Sequence, residues 1–312
     1  MIRIGVVNID VSHPLAFSGL LNAGSRARYV AVYNDGFRGD DEVEAFIRRA
    51  GLEKRCQSVE ELADMCDVGF IQGCNWDKHL DYAEIFIGRG KPVFIDKPIV
   101  GCMKDIRRLE ALLKGGAVIL GSSSLRYASE ITAFLEKPVE ERGEIINIMG
   151  TCGVDEFNYA IHVVESIGAM AKDAVSCRYA GSGTAAGNTA STYLVTFANG
   201  VTATYITVEG VWLPCDFLVT TTKGVYPICV DTGAVYIQLL NRICDYMETG
   251  KSDLAQIPDI IESIKIMLAG RLSKQNGGQP VRLDDIPEND PGFDGAAFET
   301  GYAAAAKKIY LD

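Results

Sequence analysis

The 312-residue chain holds three histidines, His13, His79 and His162, and imidazole is the side chain that gives or takes a proton near neutral pH. Lys97 is the other residue placed for chemistry. Val93-Phe94-Ile95-Asp96-Lys97-Pro98 sets an ammonium just past the end of an apolar run. If that run is a buried parallel strand, its carboxyl end is the edge where open α/β sheets bind ligands. Pro98 restricts the backbone of Lys97 and could take the cis form. The plain alternatives are a solvated strand-end lysine and, for His162 on the apolar run Ile161 to Ile167, a satisfied core histidine. A metal centre is not expected, because neither His-x-x-x-His nor clustered carboxylates accompany the histidines. Serine nucleophile chemistry lacks its Gly-x-Ser-x-Gly elbow.

Such groups need a frame. Over the first 120 residues, short apolar runs (Ile2 to Val7, Tyr29 to Tyr33, Val68 to Ile71, Val93 to Ile95, Val118 to Leu120) alternate with helical patterns. The helical patterns are Pro14 to Leu21, Glu42 to Ala50, Glu60 to Met65, Lys78 to Gly88 and Lys104 to Leu113. Ser58-x-x-Glu61 is a capping box, and Gly51, Gly90 and Gly115 fall where helices should stop. The alternation predicts an α/β fold whose N-terminal part, residues 1–121, is a Rossmann-like, doubly wound parallel sheet. From Gly143 the texture changes to longer strands at Glu144 to Met149, Ala174 to Tyr179, Thr192 to Thr207 and Asp216 to Val230. Helices are expected at Asn158 to Met170, Tyr236 to Met247, Pro258 to Leu272 and Ala296 to Ile309. Residues 122–312 therefore read as an α+β substrate and oligomerisation domain with an open, largely antiparallel sheet. Ala190 to Val208 carries no charge, but its central Asn199-Gly200 signals a hairpin with both turn residues at positive φ, not a membrane span.

In a doubly wound fold the turn after the first strand takes the cofactor diphosphate on a helix N-terminus, with glycines for close approach. Here it reads Val7-Asn8-Ile9-Asp10-Val11-Ser12-His13-Pro14, with Asn8, Asp10 and His13 at the glycine positions and Asp10 adding a negative charge. Asn8, Ser12 and the free N–H groups at the helix start are the substitutes available, and a protonated His13 would partly offset Asp10. Gly181-x-Gly183-x-x-x-Gly187 lacks the strand-turn-helix context and reads as a mobile loop. Asn34 and Asp35 end the second strand, where a carboxylate binds the adenosine ribose and repels the 2′-phosphate of NADP, although Arg38 could accept that phosphate. The balance points to NAD; turn formation is the bland alternative for Asn-Asp-Gly.

At Asp96-Lys97-Pro98 the chain resembles the Gfo/Idh/MocA oxidoreductases, whose members carry Glu-Lys-Pro there. Asn75 and His79 in Gly73-Cys74-Asn75-Trp76-Asp77-Lys78-His79 resemble the family's loop after strand four, with Cys74 in place of its proline. Leu125-Arg126-Tyr127 resembles the entry to the second domain, Asn158-Tyr159-Ala160-Ile161-His162 the Asp-x-Gly-x-His motif, and Ala269 to Ser273 with Gly277 to Val281 the closing helix and strand. The resemblance implies NAD(P)-dependent redox at a sugar or cyclitol carbon and dimer or tetramer contacts through the open sheet. It makes Lys97 the group that orients the substrate hydroxyl and nicotinamide, and His162 the acceptor of the hydroxyl proton. Asn158 is four residues before His162, on the same face of a helix, and can hydrogen-bond where the family's Asp would carry charge. Asn8, Asp10, Ser12, His13, Asn34, Asp35, Asn75, His79 and Lys97 are the cofactor candidates. Trp76, Arg126 and Tyr127 are the substrate candidates, with Trp212 a further ring for a sugar face.

Thirty Lys and Arg against 41 Asp and Glu give a net charge of −11, which opposes nucleic-acid and anionic-membrane partners. Nine scattered cysteines without a Cys-x-x-Cys pair suggest a reducing cytoplasm, and the N-terminus lacks a signal-peptide pattern. Two other classes compete with an oxidoreductase. One is a redox-inactive relative that binds a sugar or regulates; the other is a non-redox lyase or epimerase using Lys97 and His162.

Overall fold

The structure, a computed structural model, describes residues Met1–Gly121 and Ser123–Leu311. The chain divides into two compact units. The first comprises Met1–Gly121, Leu239–Leu254 and Asp294–Asp312; the second comprises Ser122–Gln238 and Ala255–Phe293. Where the sequence suggests one continuous domain over 122–312, residues 239–254 and 294–312 group with the first unit. Their side chains explain it: Arg26 bonds Asp245 at 2.7 Å and Glu248 at 2.6 Å, and Tyr310 packs edge-on against Phe46 with ring centroids 5.5 Å apart.

The first unit is built on β1 (Ile2–Val7), β2 (Ala27–Tyr33), β3 (Lys54–Arg55), β4 (Val68–Ile71), β5 (Val93–Ile95) and β6 (Ile119–Gly121). They form one parallel sheet in the order β3-β2-β1-β4-β5-β6. Helices on both faces leave its central strands no solvent, so Val68–Ile71 and Val93–Ile95 are buried throughout. Ser58 Oγ accepts the Glu61 N–H at 3.2 Å, while Glu61 reaches back to the Gln57 N–H at 2.6 Å, one residue beyond the ideal box. The order reverses between β1 and β4, and in such sheets the crevice at the carboxyl ends of these strands is the ligand edge.

The second unit carries β7 (Ile145–Val154), β8 (Ala174–Ala185), β9 (Asn188–Phe197), β10 (Thr202–Glu209), β11 (Phe217–Thr221), β12 (Val225–Ile228) and β13 (Val281–Arg282). Their order is β12-β11-β7-β10-β9-β8-β13, antiparallel except for the β7–β10 pair. Four local expectations are corrected. Asp216 to Val230 is two strands, because the Thr221 hydroxyl accepts the N–H groups of Lys223 and Gly224 and folds the chain back. Gly181 to Gly187 is not a loop but part of the β8–β9 hairpin, with Gly187 (φ 79) in its turn. Of Asn199-Gly200, only Gly200 is left-handed (φ 87); Asn199 instead takes the Val201 N–H on its side chain. The helix expected from Asn158 starts at Ala160, so Asn158 lies in the preceding turn. Among the described residues no helix is long and apolar enough to cross a membrane.

Candidate active site

At the ligand edge of the first sheet, Asn8 is left-handed (φ 62), a conformation asparagine tolerates. Its Oδ1 accepts the N–H groups of Asp35 (2.9 Å) and Gly36 (3.2 Å), and Asn34 Oδ1 accepts that of Ile9 (3.1 Å). These side chains tie the turn after β1 to the end of β2. Asp35 is exposed and accepts the Tyr82 hydroxyl at 2.7 Å. Ser12 is exposed beside the helix His13–Ala23 and makes no capping bond.

Asp10 is 1% exposed; its Oδ2 accepts the Cys74 N–H at 3.0 Å, and its Oδ1 has no hydrogen-bond partner. Burial lifts its carboxyl to about 6, with the Cys74 N–H pulling it down and Glu299 pushing it up. His13 does not serve as its counter-charge, because Nδ1 lies 2.6 Å from Asp96 Oδ2. Burial would raise Asp96, but His13 and Lys97 outweigh it and hold that carboxyl below the usual range. Asp96 Oδ1 also accepts the Lys97 N–H at 2.8 Å, which fixes the backbone of Lys97 at the end of β5, ahead of a cis bond to Pro98. The Lys97 side chain is half-buried.

His79 is a strut. It is buried, with Nε2 3.0 Å from the Gly73 carbonyl and Nδ1 3.2 Å from that of Ile99, and desolvation lowers its pKa, so the neutral ring donates to one carbonyl at a time. Asn75 accepts the Asp77 N–H at 3.1 Å and donates to Glu299 at 2.9 Å. Trp76 is 2% exposed against Phe298, so its ring offers no open face to a sugar, whereas Trp212 is 64% exposed.

The partners of these loops come from the end of the chain. A helix, Gly295–Ala305, is capped by Asp294, and its Gly295 and Ala296 N–H groups donate to Asp77 at 2.9 and 3.1 Å. Arg38, 5% exposed, gives two bonds to the Asp10 carbonyl, one to Glu42 and one to the Lys307 carbonyl at 2.6 Å. The Tyr310 hydroxyl donates to the Val11 carbonyl at 2.8 Å. Asp10, Cys74 and Glu299 each bring a donor atom within 4.8 Å of the others, a trio no local spacing announces. As folded, much of this edge is occupied: Asn8, Asp10 and His13 are buried, and Asn75, Asp77 and Arg38 bond the C-terminal segment, while Ser12 and Asp35 stay exposed.

In the second unit, Ser123 Oγ lies 2.5 Å from His162 Nδ1 and accepts the Leu125 N–H at 3.2 Å, while the Ser123 N–H donates to buried Glu165 at 2.8 Å. The oxygen has two lone pairs, so Oγ can accept from Nδ1–H as well. In that tautomer Nε2 carries the basic lone pair of the ring. Asn158 is buried in the turn that Asp155 builds by accepting the Phe157 and Tyr159 N–H groups. Arg126 is 7% exposed and donates to the Glu165 and Gly168 carbonyls; the Tyr127 hydroxyl accepts the Ala255 N–H at 2.7 Å. These polar atoms brace the unit from within. Sequence reading missed Ser123 and Glu165, although Glu165 follows His162 at i+3 on one helix face.

No protein-family model matches the sequence, and no curated protein matches it by sequence. Solved structures match in fold. The myo-inositol dehydrogenase from Lactobacillus casei in complex with NAD(H) and myo-inositol is 14% identical, with a TM-score of 0.77 over 90% of this chain and 96% of that one. The apo scyllo-inositol dehydrogenase from Lactobacillus casei is 14% identical, at 0.77 over 91% and 98%. The myo-inositol dehydrogenase from Corynebacterium glutamicum is 13% identical, at 0.77 over 91% and 99%. At these identities the likeness establishes the fold: a Rossmann-like parallel sheet with a second, largely antiparallel sheet.

Proposed function

We propose that this chain is an oxidoreductase of the Gfo/Idh/MocA kind, acting with an NAD-type dinucleotide on a cyclitol, sugar or related polyhydroxy compound. The observation that carries the reading is fold likeness over about nine-tenths of the chain to inositol dehydrogenases, one of them with NAD(H) and myo-inositol bound. The Lys97 and His162 motifs support it. In this reading His162 takes the hydroxyl proton at Nε2, Ser123 holds the opposite ring nitrogen, and Lys97 orients the hydroxyl. NAD is favoured over NADP, because Asp35 follows β2 and Arg38, a candidate for a 2′-phosphate, is held by the Asp10 carbonyl and Glu42. We place the protein in the cytoplasm as a homodimer or homotetramer.

The test is turnover of a cyclitol and aldose panel with NAD and NADP, followed by nicotinamide absorbance. Lys97→Ala and His162→Ala should each lower kcat about 10²- to 10⁴-fold with unchanged circular dichroism. Parent-like turnover by either variant would remove that residue from the chemistry, and unfolding of His162→Ala would favour a core histidine.

A further inference from the structure

The C-terminal segment lies on the surface where a doubly wound sheet takes its nucleotide. It touches the loop after β1 through Tyr310 on Val11, and the end of β2 through Lys307 on Arg38 and Tyr302 against Phe37. It touches the loop after β4 through Glu299 on Asn75, Phe298 against Trp76, and Gly295 and Ala296 on Asp77. These are the loops flanking the strand-order reversal. We infer that residues 294–311 and the adenosine-diphosphate end of a dinucleotide compete for this surface, so that the nucleotide enters only when the segment lifts away. The inference rests on the proposed use of a dinucleotide.

Two observations support a segment that detaches. Its own burial is slight: in Gly295–Ala305 only Gly295 is buried, and beyond that helix only Tyr310, the rest being partly or fully exposed. An element with so little buried surface opens at low cost. Its departure also changes the surface in the direction an anion needs. Beside Asp10 the change is local: Glu299 leaves and Arg38 is released from the Lys307 carbonyl, so one negative charge goes there and a guanidinium donor is freed, although Lys307 and Lys308 leave too and the segment's overall charge is balanced.

The test uses the whole 312-residue chain. A side chain at Gly295 would put its Cβ 2.6 Å from Asn75 Oδ1, so Gly295→Leu should pry the helix off; Tyr310→Ala removes the second anchor independently. NADH is titrated into the parent and both variants, and amide hydrogen exchange of residues 295–305 is followed in the parent with and without millimolar NADH. If the parent's segment is docked nine-tenths of the time, each variant binds about tenfold tighter, and NADH speeds exchange in the segment. Equal affinity in all three proteins, or slower exchange on adding NADH, overturns the competition while leaving dinucleotide use intact. No binding of NAD or NADP by any of them at millimolar concentration overturns dinucleotide use, and the competition with it. Should a variant misfold, exchange in the parent decides alone.

Discussion

Asp10 is the residue whose chemistry departs furthest from its sequence appearance. It reads as a charge in the way of a diphosphate; the fold makes it a buried carboxyl facing Cys74, Glu299, Arg38 and Tyr310, titrating at about 6 against 3.8 for an ordinary aspartate. A raised carboxyl stabilises the folded chain fully below the lower value, and that contribution disappears as pH climbs through about 6, at a cost of about 2–3 kcal/mol by pH 8. Asp10→Asn cannot ionise, so it should melt above the parent at pH 8 and not at pH 4. The same offset at both values would refute this. Ser123 gives a second residue-scale expectation. Ser123→Ala removes one hydrogen bond from His162 Nδ1, worth about 0.5–1.5 kcal/mol, so kcat should fall about three- to tenfold with a displaced pH profile. Ser123→Thr should restore both, and an unmoved pH profile in the alanine variant would deny Ser123 a hand in setting the tautomer. Neither residue's role could be read in advance. Asn8, Asp10 and Arg38 acquire theirs from partners far along the chain, and a left-handed Asn8 leaves no mark on its neighbours.

Elements were more legible, because their signal is local. Val68–Ile71 and Val93–Ile95 form at the residues their unbroken apolar runs indicate, and Ser58 marks the start of its helix. The errors came where one side chain redirects the backbone. Thr221 makes a turn with its hydroxyl in a run that otherwise reads as one strand, and Asn199 uses its amide instead of a left-handed φ. Close packing gives a prediction at this scale. A Cβ on Gly153 in β7 would lie 1.8 Å from the Val211 carbonyl oxygen, an encounter with backbone that no rotamer relieves. Gly153→Ala should lower stability by about 1–3 kcal/mol, read as an earlier urea midpoint; an unchanged midpoint would mean that the 211–213 stretch yields freely.

For the whole molecule, the second sheet leaves apolar side chains uncovered. Leu218 on β11 and Met149 on β7 are directly paired and each 40% exposed, with Ile146 at 49% near by. This is the face expected to join copies of the chain. Light scattering should give a multiple of the chain mass, and Leu218→Glu should return it to a monomer; a monomeric parent at micromolar concentration would reject the assembly.

The division of the chain into units also orders events in time. The first 121 residues emerge from the ribosome early, yet the segment that covers Arg38 and takes up the Trp76 and Phe37 rings arrives only after roughly 170 further residues, about 10–35 s of synthesis. During that interval the nascent first unit presents Arg38 without its Lys307 partner. The part of the protein made first is thus the part completed last, and for those seconds the carboxyl-end edge of its sheet stands without residues 294–311.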